Sequence, residues 1–169
     1  VGMGATAEAV AGKYNISREA ADKFSYDSHM KAASAIDGGK FKDQIVPIEI
    51  EEVFVADGKR KTKTHTVSVD EGVRRETSLE GLAKLRPAFK IGGTVTAGNA
   101  SQTSDGAAFT LVVSEEMVKQ LNLKPIARMA GCAVGGVEPL YMGIGPCVAI
   151  PKVLKQAGLL LKDIQQTEL

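Results

Sequence analysis

The sequence of 169 residues is 44% hydrophobic and 24% charged, which is typical of one globular domain or of two smaller compact pieces. Its net charge of +1 excludes the strong whole-chain field that draws proteins to nucleic acids or acidic membranes, and no apolar run approaches the roughly 20 residues of a membrane span. Cys132 and Cys147 lie in apolar glycine-rich segments without a CxxC spacing, which favours reduced thiols over a disulfide framework or a zinc site.

Two helices are predicted in the first 40 residues. The first covers about residues 5–14, and the second begins after Ser17, a favoured N-cap residue, and ends at Gly38 and Gly39. Helical spacing predicts a narrow buried stripe of mostly small side chains on the second helix, which places His29 on the exposed side. The stripe consists of Ala21, Phe24, Ser28, Lys31, Ala32 and Ala35.

A β-hairpin follows, with Asp57 and Gly58 as the predicted turn. In its second strand lysines and a histidine alternate with threonines, as in an exposed edge strand whose charges hinder aggregation. The basic run KRKTK, residues 59–63, would also suit an anion-binding patch, but the near-neutral chain disfavours a nucleic-acid-binding function.

Helices and strands alternate in the remainder of the chain. A capping box beginning at Thr77 predicts a helix that ends before Pro87, and Ser114 predicts the start of another. Residues 107–113 and 126–134 have the composition of strands. The segment PCVAIPKVLKQAG predicts a last helix that ends at Gly158, so the order is helices, a hairpin, a helix and then β-α-β-α-β.

The segment TVTAGNASQTSDGAAFTLVVSEE, residues 94–116, contains far more small residues than a turn between two strands requires. No bulky side chain occurs between Val95 and Phe109. Glycine, asparagine and aspartate tolerate left-handed backbone, and most runs of this kind are plain turns. The surplus of small residues nevertheless suggests a backbone that a ligand approaches closely.

Five motifs in this order and spacing resemble the thiolases, the acyl-CoA acyltransferase family. They are MGATAEAVA, GKFKDQIVP, LAKLRPAF, GTVTAGNASQTSDGAA and MGIGPCVAIP. The resemblance extends from Met3 to Leu169 and implies an α/β fold of the thiolase type that these residues cover only in part. It implies a coenzyme A-binding loop domain over residues 1–103, the closing strand and helix of the N-terminal core domain over 104–122, and the start of the C-terminal core domain over 123–169.

The resemblance also implies a binding site. Ser101 would bond the pantetheine arm of coenzyme A, with Ala97 and Ala100 bordering it, Phe89 packing the tunnel and Arg74 near the nucleotide end. An arginine suits phosphate or adenine through fork-shaped hydrogen bonding and stacking. Met3 and Met142 would line the acyl pocket, where a flexible thioether adapts to varied shapes.

No catalytic residue and no metal site is expected among these 169 residues. In the family the nucleophilic cysteine precedes the position of Val1, and the oxyanion-hole histidine and second catalytic cysteine follow that of Leu169. We therefore expect an internal fragment of a longer enzyme. The resemblance implies coenzyme A as a substrate without a further cofactor, a homodimer or homotetramer when intact, and a bacterial-type cytoplasmic location, with an organelle matrix as the alternative.

The resemblance favours a 3-ketoacyl-CoA thiolase, which cleaves 3-ketoacyl-CoA with coenzyme A to acetyl-CoA and a shortened acyl-CoA. Gly2 stands where biosynthetic acetoacetyl-CoA thiolases place a histidine, and the long charged hairpin resembles that of the degradative branch. A biosynthetic acetoacetyl-CoA thiolase, a non-catalytic acyl-CoA-binding protein and a purely structural assembly module stay open as alternatives.

Overall fold

The computed structural model describes residues 2–169 as two compact units. We call Ser17–Gln102 the central unit, and the residues up to Ile16 together with Thr103–Leu169 the terminal unit. The helices and strands are α1 (Met3–Tyr14), α2 (Arg18–Asp37), β1 (Ile48–Ala56), β2 (Lys59–Val67), α3 (Leu79–Ala83), α4 (Glu115–Gln120) and α5 (Gly145–Ala157), with 3-10 turns at Lys42–Gln44, Pro139–Ile144 and Leu161–Asp163.

Local end signals position the helices. The Ser17 hydroxyl accepts a hydrogen bond from the Ala20 N–H at 3.1 Å, and Gly158 ends α5 with a φ of 68°. Ser114 caps α4 in the same way as Ser17 caps α2, so all three predicted ends are confirmed. The predicted capping box at Thr77 is wrong by one residue, because Ser78 is the residue that caps α3 and accepts from the Gly81 N–H.

The hairpin forms as predicted. β1 and β2 pair antiparallel from Ile48 opposite Val67 to Ala56 opposite Lys59. Asp57 and Gly58 both have positive φ, 55° and 68°, as a two-residue turn that follows the twist of the strands requires.

The predicted buried stripe of α2 is wrong at its polar and aromatic members. Phe24 is 79% exposed, and Ser28 and Lys31 are also exposed. The inward face also contains polar residues, with Asp22 buried and His29 half-buried, so His29 does not lie on the exposed side. The alanines of the predicted stripe are half-buried. Apolar periodicity could not locate the polar residues of this face, because they contact the rest of the unit through hydrogen bonds.

In the terminal unit α1 packs against the turn Pro139–Ile144. The Lys13 ammonium lies 3.8 Å from the centre of the Tyr141 ring, a cation–π contact. Another contact brings residues 131–135 onto α5, where a Cβ on Gly135 would lie 2.8 Å from Val148 Cγ1. The glycine thereby allows the backbone to approach the helix closely.

Residues 107–113 and 126–134 are not strands in the structure. The sheet found among residues 2–169 consists of β1 and β2 alone. A composition rich in strand-forming residues shows only that a segment can adopt extended backbone. A strand forms where a second extended segment supplies the hydrogen-bond partners. The large apolar side chains of the two segments are exposed as a result; they include Phe109, Leu111, Val112, Ile126, Met129 and Val134.

We expect the isolated 169-residue polypeptide to self-associate through these segments, because exposed apolar segments with unpaired backbone bind other copies. Light scattering should show a mean mass that rises with concentration, and Leu111→Lys should reduce that rise because Leu111 is 80% exposed. The neighbouring change Thr110→Lys is the matched control for added charge. A monodisperse monomer that unfolds cooperatively would contradict this expectation.

Candidate functional site

The turn at residues 94–101 is held by the side chain of Asn99. Its Oδ1 accepts from the Thr96 N–H at 2.8 Å, and its Nδ2 donates to the Thr94 carbonyl at 2.9 Å. Thr96 is completely buried, and its hydroxyl accepts from the Gly98 N–H at 3.2 Å. Side-chain bonds to nearby backbone are what asparagine and threonine contribute to tight turns.

Two further contacts explain why this turn contains Gly98. A Cβ at this position would lie 2.5 Å from both Leu82 Cδ2 and Leu85 Cδ1. The turn therefore lies directly against the two leucine side chains, and any side chain at position 98 would require one of the two to shift.

The segment containing Phe89 runs antiparallel to the turn. Pro87 forms a bridge with Thr96, and the Ala88 N–H donates to the Val95 carbonyl at 2.9 Å. The motifs LAKLRPAF and GTVTAGNAS, which are distinct in the sequence, are thereby joined in one structural element.

The polar face of α2 holds this element. Arg18 Nη2 donates to the Leu82 carbonyl at 2.6 Å and to the Leu85 carbonyl at 3.0 Å. Ser25 donates from its hydroxyl to the Gly98 carbonyl. α2 is thus bonded both to the end of α3 and to the turn.

The same face reaches the loop that contains Arg74. His29 Nδ1 accepts a hydrogen bond from the Arg74 N–H at 3.1 Å. A Cβ on Gly72 would lie 2.7 Å from Gln102 Nε2, so this loop also approaches the end of the small-residue turn. Arg74 and Ser101 therefore lie in segments that contact each other.

All five residues predicted to bind coenzyme A lie in the central unit, and all five have exposed side chains: Arg74, Phe89, Ala97, Ala100 and Ser101. The structure brings their segments together, with exposed small side chains above the buried Thr96. Exposed small side chains therefore lie on a turn that internal hydrogen bonds hold in shape. That these residues bind coenzyme A stays a prediction.

The two predicted acyl-pocket methionines belong to the terminal unit. Met3 is the first residue of α1 and 69% exposed, while Met142 lies in the turn Pro139–Ile144 and is 45% exposed. These two elements pack together at Val10, which lies 3.7 Å from a Cβ placed on Gly143. The role of both methionines stays a prediction.

Arg74 and Arg75, which are adjacent in the loop before α3, differ in their ion pairing. Arg75 Nη1 lies 2.9 Å from Asp37 Oδ2, and this hydrogen bond raises the pKa of Arg75. Among residues 2–169 the structure gives no ion pair to the side chain of Arg74, which is exposed. Arg74 is therefore the arginine of this loop that is available to an anionic ligand.

Sequence reasoning missed the residues that support the site. Arg18, Asp22, Ser25 and His29 follow each other at intervals of four, three and four along α2, which places them on one helical face. This stripe of hydrogen-bonding side chains at helical spacing is the sequence pattern from which a polar inward-facing surface could have been predicted. Asn99 stood inside the small-residue run without an assigned role.

A separate cavity of about 440 Å³ lies between the end of α2 and the base of the hairpin. Its apolar lining comprises Ile36, Phe41, Ile45, Pro47 and Val69. None of the predicted site residues lines it.

The family is shown by two matches. The model of the thiolase N-terminal domain matches residues 1–116, and the model of the thiolase C-terminal domain matches residues 123–169. The chain belongs to the thiolase family. The resemblance inferred from the five motifs is thereby confirmed, while the division at residues 103 and 122 stays a prediction.

Curated proteins and solved structures agree with this assignment. The chain is 52% identical to a 3-ketoacyl-CoA thiolase of Bacillus subtilis over 168 residues, which cover 99% of this chain and 43% of the relative. A crystal structure of an acetyl-CoA acetyltransferase of Bacillus anthracis matches with a TM-score of 0.82 and 44% identity, covering 96% of this chain and 39% of that one. Human mitochondrial 3-ketoacyl-CoA thiolase in complex with CoA matches with a TM-score of 0.78 and 44% identity, covering 97% and 38%.

These matches confirm the α/β fold of the thiolase type. The chain spans about two-fifths of the length of the relatives it matches. No helix within residues 2–169 has the length and apolar character needed to cross a bilayer.

Proposed function

We propose that this chain is the coenzyme A-binding part of a 3-ketoacyl-CoA thiolase. The intact enzyme would cleave 3-ketoacyl-CoA with coenzyme A to acetyl-CoA and a shortened acyl-CoA. The proposal rests on the turn at residues 94–101. Its exposed side chains are small, and its backbone is held by hydrogen bonds of Asn99 and the buried Thr96.

This geometry suits a long, narrow amide chain. Ala97 and Ala100 leave room for the pantetheine arm, and the Ser101 hydroxyl bonds to one of its amides. Phe89, from the strand-like segment paired with the turn, packs against the apolar part of the arm. Arg74, free of the ion pair that occupies Arg75, binds the phosphate end. Met3 and Met142 contact the acyl group.

A biosynthetic acetoacetyl-CoA thiolase is the second candidate, because the Bacillus anthracis structure is an acetyl-CoA acetyltransferase. Both reactions use the same coenzyme A site, so the turn does not distinguish them. Two features favour the degradative reaction: position 2 is a glycine where biosynthetic thiolases place a histidine, and the hairpin is long and charged.

A chimera tests the proposal. The matching 168 residues of the Bacillus subtilis thiolase would be replaced by this chain, and thiolysis would be measured with acetoacetyl-CoA and with a longer 3-ketoacyl-CoA. We expect turnover of both substrates, with preference for the longer one. A folded chimera that binds no coenzyme A would overturn the proposal, and one that binds it without turnover would show that this chain does not support thiolysis.

In the active chimera Arg74→Ala should raise the KM for coenzyme A about tenfold and lower kcat less, because it removes binding remote from the reacting thiol. The matched control is Arg75→Ala, since that guanidinium is bonded to Asp37 and should leave KM unchanged. Initial rates over a range of coenzyme A concentrations give both constants. Equal effects of the two substitutions would remove Arg74 from the site.

We also infer a homodimer or homotetramer for the intact enzyme, with coenzyme A as a substrate and no further cofactor. The matched relatives include a bacterial protein and proteins named as peroxisomal. A bacterial-type cytoplasm is the favoured compartment, and an organelle matrix is the alternative. Fractionation of the source cells with an antibody to this chain would separate the two.

A further inference from the structure

Asp22 is a buried carboxylate on the inward face of α2, with 4% of its surface exposed. Its Oδ2 lies 2.7 Å from Arg18 Nε, and its Oδ1 accepts from Asn99 Nδ2 at 2.8 Å. A buried carboxylate is costly unless it is both paired and hydrogen-bonded, and here each oxygen has its own partner.

Helix stability alone does not account for this burial. Five residues further along α2, Asp27 makes the same kind of ion pair with Lys23 at 2.8 Å, with its side chain 41% exposed. That exposed pair can stabilise the helix without any desolvation cost. What Asp22 has in addition is the bond to Asn99, 77 positions along the chain.

Asn99 has its amide fully engaged. One hydrogen of Nδ2 is directed to Asp22 and the other to the Thr94 carbonyl, while Oδ1 accepts from the Thr96 N–H. The orientation of this amide therefore determines the turn, and Asp22 determines the orientation of the amide. Arg18, which also binds the Leu82 and Leu85 carbonyls, in turn holds the carboxylate.

We propose that the Arg18–Asp22–Asn99 network is the positioning device of the coenzyme A site. The inference rests on the proposed function, because its consequence is the placement of Ala97, Ala100 and Ser101 along the pantetheine arm. Asp22 is too deeply buried to contact the ligand itself, so it is a positioning residue that acts through Asn99. Small displacements of binding groups are costly in enzymes because affinity and rate both depend on alignment.

The first experiment uses the folded chimera with the Bacillus subtilis thiolase and needs no activity. Amide hydrogen exchange at Thr96 reports whether Asn99 still accepts from its N–H. Asp22→Asn should speed this exchange about tenfold, since the new amide offers one acceptor oxygen to two donors, Arg18 Nε and Asn99 Nδ2. The matched control Asp27→Asn should leave it unchanged. Equal exchange in the parent chimera and in its Asp22→Asn variant would overturn the proposed role of the Arg18–Asp22–Asn99 network.

The second experiment uses the active chimera. Asp22→Asn should raise the KM for coenzyme A about tenfold with a smaller change in kcat, because alignment of the bound arm is lost rather than the reacting groups. Asn99→Asp should raise it at least as much, since two carboxylates then face each other. The control Asp27→Asn should match the parent chimera in both constants.

The exchanged pair Asp22→Asn with Asn99→Asp separates direct coupling from general damage. It restores one donor and one carboxylate: the amide introduced at position 22 can donate to position 99 while its carbonyl accepts from Arg18. We expect a KM lower than that of Asn99→Asp, because both variants lack the Asn99 amide donor to the Thr94 carbonyl and differ only at position 22. Additive losses in the double variant would overturn the coupling. An inactive parent chimera would count against the proposed function alone, because the exchange measurement still tests the network.

Discussion

The 169-residue polypeptide alone should show no thiolysis of acetoacetyl-CoA or of a longer 3-ketoacyl-CoA, under conditions in which the chimera turns over both. The family resemblance places the nucleophilic cysteine before residue 1 and the oxyanion-hole histidine and second cysteine after residue 169. Loss of a single oxyanion-hole donor costs about two to three orders of magnitude in rate. Here the nucleophile, the base and the oxyanion hole would all be missing together.

We expect that the chain's own cysteines and histidines do not replace these groups. Cys132 and Cys147 are both exposed, in segments of the terminal unit. His65 lies on β2, and His29 accepts from the Arg74 N–H through Nδ1. Among residues 2–169 there is also no cluster of three or more His, Cys, Asp or Glu side chains suited to a metal ion. Turnover by the polypeptide that disappears on Cys132→Ser or Cys147→Ser would show that the catalytic cysteine had been misassigned.

Gly98→Val should abolish coenzyme A binding by the chimera and lower its free energy of unfolding by about 1–3 kcal/mol, the usual cost of overpacking. The first carbon of the new side chain would already lie 2.5 Å from the side chains of Leu82 and Leu85. Leu82 is buried, with 4% of its surface exposed, so its side chain has little free space to move into. We expect the turn to shift away from the two leucines, and Ala97 and Ser101 to move with it.

Gly106→Val is the matched control, because a Cβ at Gly106 meets no atom within 4 Å. Calorimetric titration with coenzyme A and urea denaturation of both variants provide the measurements. Affinity equal to that of the parent in Gly98→Val would mean that the turn tolerates the displacement, and the proposed contact of the turn with the pantetheine arm would then be wrong.

Features that depend on neighbouring residues could be predicted well. Ser17 and Ser114 cap their helices, Gly158 ends α5, and Asp57 with Gly58 forms the hairpin turn. Each depends on the steric range of one residue or on a hydrogen bond across three positions. The thiolase family could also be identified, because five motifs in a fixed order carry information that no composition or periodicity contains.

Features that depend on contacts between distant segments could not be predicted from the sequence. Strand-forming composition at residues 107–113 and 126–134 predicts strands, but no paired strand forms there among the described residues. Apolar periodicity likewise misplaced part of the inward face of α2, because Phe24, Ser28 and Lys31 are exposed. Asp22, Ser25 and His29, which it left out, are buried or half-buried. Periodicity detects burial driven by apolar surface, and these three side chains form hydrogen bonds instead.

By itself, the sequence determined most of the helix ends, the hairpin and the family, because these follow from local stereochemistry and from motif order. Only the tertiary structure decided what holds the candidate site in place. The bond from Asp22 to Asn99 and the bond from Arg18 to Leu82 join residues 77 and 64 positions apart. Their energies depend on burial and on donor–acceptor geometry, and both arise only when α2 packs against the turn and α3.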